Sequence, residues 1–373
     1  MGQQAVWTAL TMIILAALAL SGPADADTMP RAVLVVPFDA SSLAPDEQWM
    51  GEGVAQLISL GLKWHPAFVQ IERSRLGRMH GPAVWSDALV SQVAHELRVD
   101  AVLYGRIGRK NADLVLQPMV LNLTNKQAVT ISFPPIAMSD ADFLARSARL
   151  PASYARALRV ALTDDQNARV EKAARPTASL QALELLTRGQ MAFYRGANED
   201  AIDLMWRATL ADPNFVMAQY ALGAVHEAIG NRWKAAAQYR AATLLDSTMP
   251  EPLKALGDLF LGAPRPLVSQ AIEAYSRAIS LRPFYAEAYV GLGDARAANG
   301  DIKYAIAAYQ KALSFDPFHS RPHLRLGKIY ADTGHCGDSL NAYRGALELD
   351  PDSAEARSAV EAISAGGCRP VGP

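Results

Sequence analysis

A pattern returning about every 34 residues from Ala182 to Pro351 narrows this chain to few architectures, because a period of that length builds a stack of like units instead of one closed core. Aligned on their closing residues, the units read ALELLTRGQMAFYRGANEDAIDLMWRATLADP, VMAQYALGAVHEAIGNRWKAAAQYRAATLLDS, PEPLKALGDLFLGAPRPLVSQAIEAYSRAISLRP, AEAYVGLGDARAANGDIKYAIAAYQKALSFDP and SRPHLRLGKIYADTGHCGDSLNAYRGALELDP. Each holds a glycine in its first half (Gly189, Gly223, Gly257, Gly293, Gly327) and a small residue opening its second (Ala201, Ala235, Ala271, Ala305, Ser339). An alanine follows seven later (Ala208, Ala242, Ala278, Ala312, Ala346). Small residues at these offsets let two helix backbones approach closely. Met205, Tyr239, Tyr275, Tyr309 and Tyr343 then fill the space toward the next unit. Gly196, Gly230, Gly300 and Gly334 supply a left-handed residue to end the first helix, and Pro213, Pro283, Pro317 and Pro351 stop the second. Ser247 replaces that proline in the second unit, and the third carries two extra residues around Gly262 to Leu267, expected to bulge from one edge.

Glycine, alanine, aromatic, alanine and proline at these offsets resemble the tetratricopeptide repeat family over most of the carboxyl half. The resemblance implies a concave groove lined by positions 2, 5, 9 and 12 of each first helix. The first two units then offer Leu183, Leu186, Gln190, Phe193, Met217 and Tyr220, with Ala224 and Glu227. The third and fourth offer Glu251, Lys254, Asp258, Glu287 and Asp294, and the fifth Arg321, Leu324 and Lys328. Such a groove runs from apolar and aromatic, through acidic, to basic. That order implies a protein or peptide ligand, mixed polarity giving register and selectivity more than affinity. The alternative is a solvated charged face. The asparagines of the family's carboxylate clamp are missing, which argues against that particular ligand.

At the other end, Ala5 to Leu20 is an unbroken apolar run, short for a membrane span, followed by the small-x-small site Ala24-Asp25-Ala26. This predicts a cleaved signal peptide over 1–26 and a periplasmic protein not inserted in the membrane after cleavage; the alternative is an uncleaved inner-membrane anchor. Removing 1–26 takes one acid, Asp25, from 37 Asp plus Glu and nothing from 36 Lys plus Arg, so the mature charge is zero. That balance argues against a nucleic-acid or anionic-membrane binder. There are 2 cysteines, Cys336 and Cys368. Cys336 lies in the turn of the fifth unit, and a capping helix from about Ser353 would return its end to that turn, so a disulfide between the two is expected in an oxidising compartment.

Between these ends, AVLVVPF within Arg31 to Ala40 is a buried strand, Met50, Val54, Leu57, Ile58 and Gly61 mark a helix face, and Phe68 to Ile71 is a second strand. Leu89, Val90, Val93, Ala94 and Leu97 mark another helix; then AVLYGRIGRKNADLVLQPMVLNLTNKQAVTISF alternates across polar turns at Arg109 to Ala112 and Thr124 to Gln127, an antiparallel meander. The order β-α-β-α-β-β-β with VVPF, Gly51-Glu52-Gly53, DAVLYGRI and LNLTNKQ resembles the amino-terminal domain of the TolB family, though that family's propeller has no counterpart here. The expected division is a TolB-like domain over 27–138, a helical connector over 139–177 packing on it through Leu158 and Leu162, repeats over 178–352 and a capping helix and tail over 353–373. The fold class expected is therefore an α+β domain with a mixed sheet, followed by an all-α tetratricopeptide solenoid.

Signatures of chemistry are missing: no GxSxG, HExxH or GxxxxGK[ST] occurs, and Gly291-Leu292-Gly293 belongs to a repeat. His319, His323 and His335 beside Cys336 lack the spacing of a metal site, Pro322 standing between the first two. The expectation is a non-catalytic scaffold or adaptor with no cofactor and no metal, holding a partner protein or peptide. The alternative is a structural component of an envelope or secretion assembly, in which the α/β domain makes oligomer contacts.

Overall fold

In the computed structural model, residues 29–71, 85–123 and 128–367 are described. Residues 1–28 and Cys368 lie outside them, and with them the expected signal peptide and one half of the expected disulfide. Among the described residues no helix is long and apolar enough to cross a membrane.

The sheet is built in the order β2-β1-β3-β4-β5. β1 (Arg31–Val35) pairs in parallel with β2 (Phe68–Gln70) and β3 (Ala101–Lys110), as a buried apolar run should when both faces are covered. β3 continues through a turn at Asn111, φ 60°, into antiparallel β4 (Asp113–Asn122), which pairs with β5 (Val129–Ser132). A sixth strand, β6 (Ile136–Met138), was not expected: it pairs with the other end of β4 after Pro134-Pro135, too short and too close to prolines to carry an alternating pattern. Helix α1 (Trp49–Leu62) covers one face and α2 (Asp87–Leu97) the other, so the sheet has two cores.

The connector holds α3 (Phe143–Ser147), α4 (Leu150–Ala157) and α5 (Asp164–Ala173), the last opened by a capping box at Thr163 and Gln166. It packs on the sheet as expected: Leu158 is fully buried, and the Tyr154 hydroxyl donates to the Tyr104 carbonyl in β3 at 3.1 Å. Leu162 is only partly buried.

Five helical hairpins follow: α6 (Leu180–Tyr194) with α7 (Asn198–Ala211), α8 (Val216–Ala228) with α9 (Arg232–Leu245), α10 (Pro250–Leu261) with α11 (Val268–Leu281), α12 (Ala286–Ala298) with α13 (Ile302–Phe315), and α14 (Ser320–Asp332) with α15 (Cys336–Leu349). The capping helix is α16 (Ala354–Ser364). The glycines do what the spacing requires: a Cβ on Gly293 would sit 2.5 Å from the Tyr309 ring, and one on Gly257 2.7 Å from that of Tyr275. Gly196, Gly230, Gly300 and Gly334 all have φ between 76° and 83°. The extra residues of the third unit form an exposed loop between α10 and α11 and leave the stacking intact. From Arg31 on, the chain is one compact unit. A single hydrophobic cluster runs from Val33 in β1 through α1, the connector and α6 to Val225 in α8.

Candidate partner-binding groove

The groove positions of the first unit meet the chain's own α1. Leu183 and Leu186 are 1% and 2% exposed, inside the shared core. The Gln56 side chain of α1 donates to Gln190 and accepts from the Thr187 hydroxyl at 3.1 Å, while Arg188 reaches back to the Asp46 carbonyl. The sequence pattern places these positions at an open apolar end of the groove. They are apolar because a second element of the same chain covers them, a contact that local periodicity does not register. Phe193 and Met217 are partly buried against the same cluster, and Tyr220 lies 5.6 Å from the Tyr239 ring.

Farther along, the expected acidic and basic stretches form pairs. Asp258 accepts from Lys254 at 2.6 Å and from the Tyr275 hydroxyl at 2.7 Å. Asp294 accepts from Tyr309 at 2.7 Å, from Arg325 at 3.1 Å and from Arg321. Glu227 accepts from Tyr239 at 2.7 Å. The large aromatic that fills each of these units therefore ends on a carboxylate of its own first helix. Burial first, and the neighbouring carboxylates second, push the Tyr275 and Tyr309 hydroxyls above their ordinary range. Asp294 of the fourth unit is thus neutralised by Arg321 and Arg325 of the fifth, whereas Asp258 is paired with Lys254 inside its own helix. Glu287, Arg321 and Lys328 are exposed.

Arg282 is the residue sequence reasoning passed over. In the other units the matching position is an aspartate that closes the turn: Asp212 accepts from the Asn214 N–H at 3.0 Å, Asp246 from Thr248 at 2.8 Å, and Asp316 from Phe318 at 2.9 Å. Arg282 instead turns inward to Glu251 at 2.7 Å, their side chains 4% and 14% exposed. Its guanidinium lies 3.7 Å from the Tyr285 ring centroid and 5.6 Å from that of Trp64, just past α1. Burial works to raise the Glu251 carboxyl, but Arg282 and then Lys63 outweigh it and hold it below its usual value. An arginine where its four counterparts are acid was the available signal. Two smaller contacts extend this second seam: Arg98, after α2, donates to the Glu348 carbonyl at 3.3 Å, and Phe318 packs on the α2 side of the sheet.

No group of three or more His, Cys, Asp or Glu among the described residues could hold a metal ion. His323 is half-buried beside Gly345, and the His335 ring pairs with Thr333 at 3.0 Å.

Fold and site together define a helical-repeat protein with an α/β module docked on its first units. The helical half is a tetratricopeptide-like solenoid, and residues 255–320 match the family model described as tetratricopeptide repeat. Among solved structures, the chain is similar to MamA, at 29% identity over 45% of this chain and 96% of that one, with a TM-score of 0.39. A thermophilic tetratricopeptide-repeat protein of Thermus thermophilus is 20% identical over 49% of this chain and 99% of its own, TM-score 0.42. Pseudomonas aeruginosa PilF is 17% identical over 50% and 90%, TM-score 0.45. No curated protein matches the chain.

Proposed function

We propose that this protein is a non-catalytic scaffold that holds a partner protein or peptide on its solenoid, and that it works in the periplasm after removal of residues 1–26. The observation carrying this reading is the repeat array itself, whose fourth and fifth units keep Glu287, Arg321 and Lys328 exposed while the first unit is closed by α1. Export is supported by the apolar run and Ala-Asp-Ala site, and the Cys336–Cys368 disulfide belongs to the same proposal, since such bonds persist in oxidising compartments. Cys336 opens α15, and α16 packs back along α15.

The test is crosslinking and pull-down from the envelope fraction with wild type and Lys328→Glu. Capture of a defined partner that the variant loses supports the reading; equal capture by both removes the solenoid's basic end from it. Amino-terminal sequencing beginning at Met1 would remove export. Two titratable thiols in the unreduced, denatured mature chain would remove the disulfide.

A further inference from the structure

Phe68, Val69, Gln70 and Ile71, four consecutive residues, line a cleft of about 400 Å³ between the sheet and the solenoid. Side chains alternate along a strand, and here they divide: Phe68 packs on the α1 side, Val69 and Ile71 on the α2 side. A cavity touched by both kinds lies at the strand's edge and not on either face. Among the described residues β2 is the terminal strand on its side of the sheet. Ile71 donates its N–H to the Val33 carbonyl at 2.9 Å, and the Ala67 carbonyl accepts from Arg31 at 2.8 Å, so the odd-numbered residues face β1. The N–H of Gln70 and the carbonyls of Phe68 and Gln70 are thereby turned to the cleft. The Phe68 N–H is taken by the His65 carbonyl at 3.2 Å, which marks where the open edge begins.

The far wall carries Phe284, from the turn that closes the third unit, and Phe315, the last residue of α13, with Glu287 and Asp316 beside them. Arg282, which also lines the cleft, is paired with Glu251 at 2.7 Å. Among the described residues no strand pairs with this edge of β2, and an extended main chain fits such an edge while its side chains meet the rings of Phe284 and Phe315 and the charged groups of Lys63, Glu287 and Asp316 at the cleft.

We propose that the cleft admits an extended segment of the partner protein, paired with β2 as an added strand, its alternate apolar side chains set against Phe284 and Phe315. In this mode the main chain supplies affinity and the side-chain pockets supply selectivity. The proposal rests on the scaffold reading above and moves its contact from the concave helices to the seam between module and solenoid. An edge strand of this kind is otherwise a liability, and the solenoid standing over it limits access to a single narrow chain.

The experiment uses the full mature chain and a displayed library of random peptides of about twelve residues, followed by binding and amide exchange with selected synthetic peptides. The expected result is slowed exchange at the Gln70 amide on peptide addition. Gln70→Pro should weaken binding about tenfold, because it removes the outward N–H while leaving the β1 pairing intact. Gln70→Ala, which keeps that N–H, should bind within about twofold of wild type. If Gln70→Pro does not fold, as judged by its circular dichroism, the Gln70 exchange in wild type decides. Peptides that leave Gln70 exchange unchanged overturn strand addition. Should those peptides be lost in Lys328→Glu, the scaffold reading survives alone. A library that yields no binder overturns both.

Discussion

Asp294 joins two repeat units electrically: it accepts from Tyr309 within its own unit and from Arg321 and Arg325 of the next, with its side chain 10% exposed. Asp294→Ala should therefore cost roughly 2 kcal/mol, less than a fully buried pair because both arginines are near half exposed. Urea unfolding checks this, and a loss below about 0.5 kcal/mol would show the pairs to be surface ornaments. Arg321→Glu would set a second acid beside Asp294 and so tests stability more than binding. The exposed Lys328 is the cleaner probe. The residue types at these positions were legible in the sequence, but their pairing was not, because it depends on the rotation between successive units. A second residue-scale prediction concerns His65, whose Nδ1 accepts the Ala67 N–H at 3.2 Å. Burial lowers its pKa, with a weaker opposing contribution from Gln166, and burial likewise lowers those of His226 and His323. A histidine kept neutral in the folded state stabilises fully above its unfolded value of about 6.5, and that contribution is lost as pH falls through 6.5 toward the depressed folded value. The melting temperature should fall between about pH 7 and 5, and less steeply in His65→Gln; parallel profiles for the two proteins would reject the assignment.

Helix α1 is the element on which the fold turns. Its sequence face of Met50, Val54, Leu57, Ile58 and Gly61 was readable as one apolar stripe, yet Trp49, Gly51, Gly53 and Ala55 are buried as well. An amphipathic pattern reports the strongest face only. The small residues of the helix mark where its neighbours come close: a Cβ on Gly61 would lie 2.6 Å from Pro151 Cγ and 3.0 Å from the Val170 carbonyl oxygen, both in the connector. Gly61→Ala should thus destabilise the chain by about 1–3 kcal/mol, despite alanine being the better helix former. Thermal melts of the full chain decide it. A neutral or raised melting temperature would mean that α4 and α5 can move away, and that the connector is not clamped to the module. The solenoid helices were the most legible part, since each period repeats the same small residues. β6 was hidden for the opposite reason, three residues after a proline pair leaving no period to read.

At the scale of the molecule, the core does not break where the sequence changes style. The cluster that begins at Val33 in β1 passes through Tyr154 in the connector to Leu183, Met205 and Val225, whereas the later units are held by small separate clusters such as Val290 with Tyr309 and Leu326, or Tyr343 with Ala346 and Ala356. Stability in a repeat array is a sum over units and nearest-neighbour interfaces. Here the first two units also share their interior with the module. Native-state hydrogen exchange should therefore show β3, α1 and α6 opening together at the global free energy, while α12 to α15 open at lower free energies and α16, with only Ala356 buried, opens first. Arg282→Ala should lower the protection of α12 and α13 toward that of the terminal unit without changing β3, since it removes the inward pair with Glu251 and the contact with Trp64 but leaves the shared core. Separate opening of β3 and α6 would refute the common core. Unchanged protection of α12 in Arg282→Ala would instead show that the later units are steadied by their stacking alone and that the seam over β2 carries no part of it.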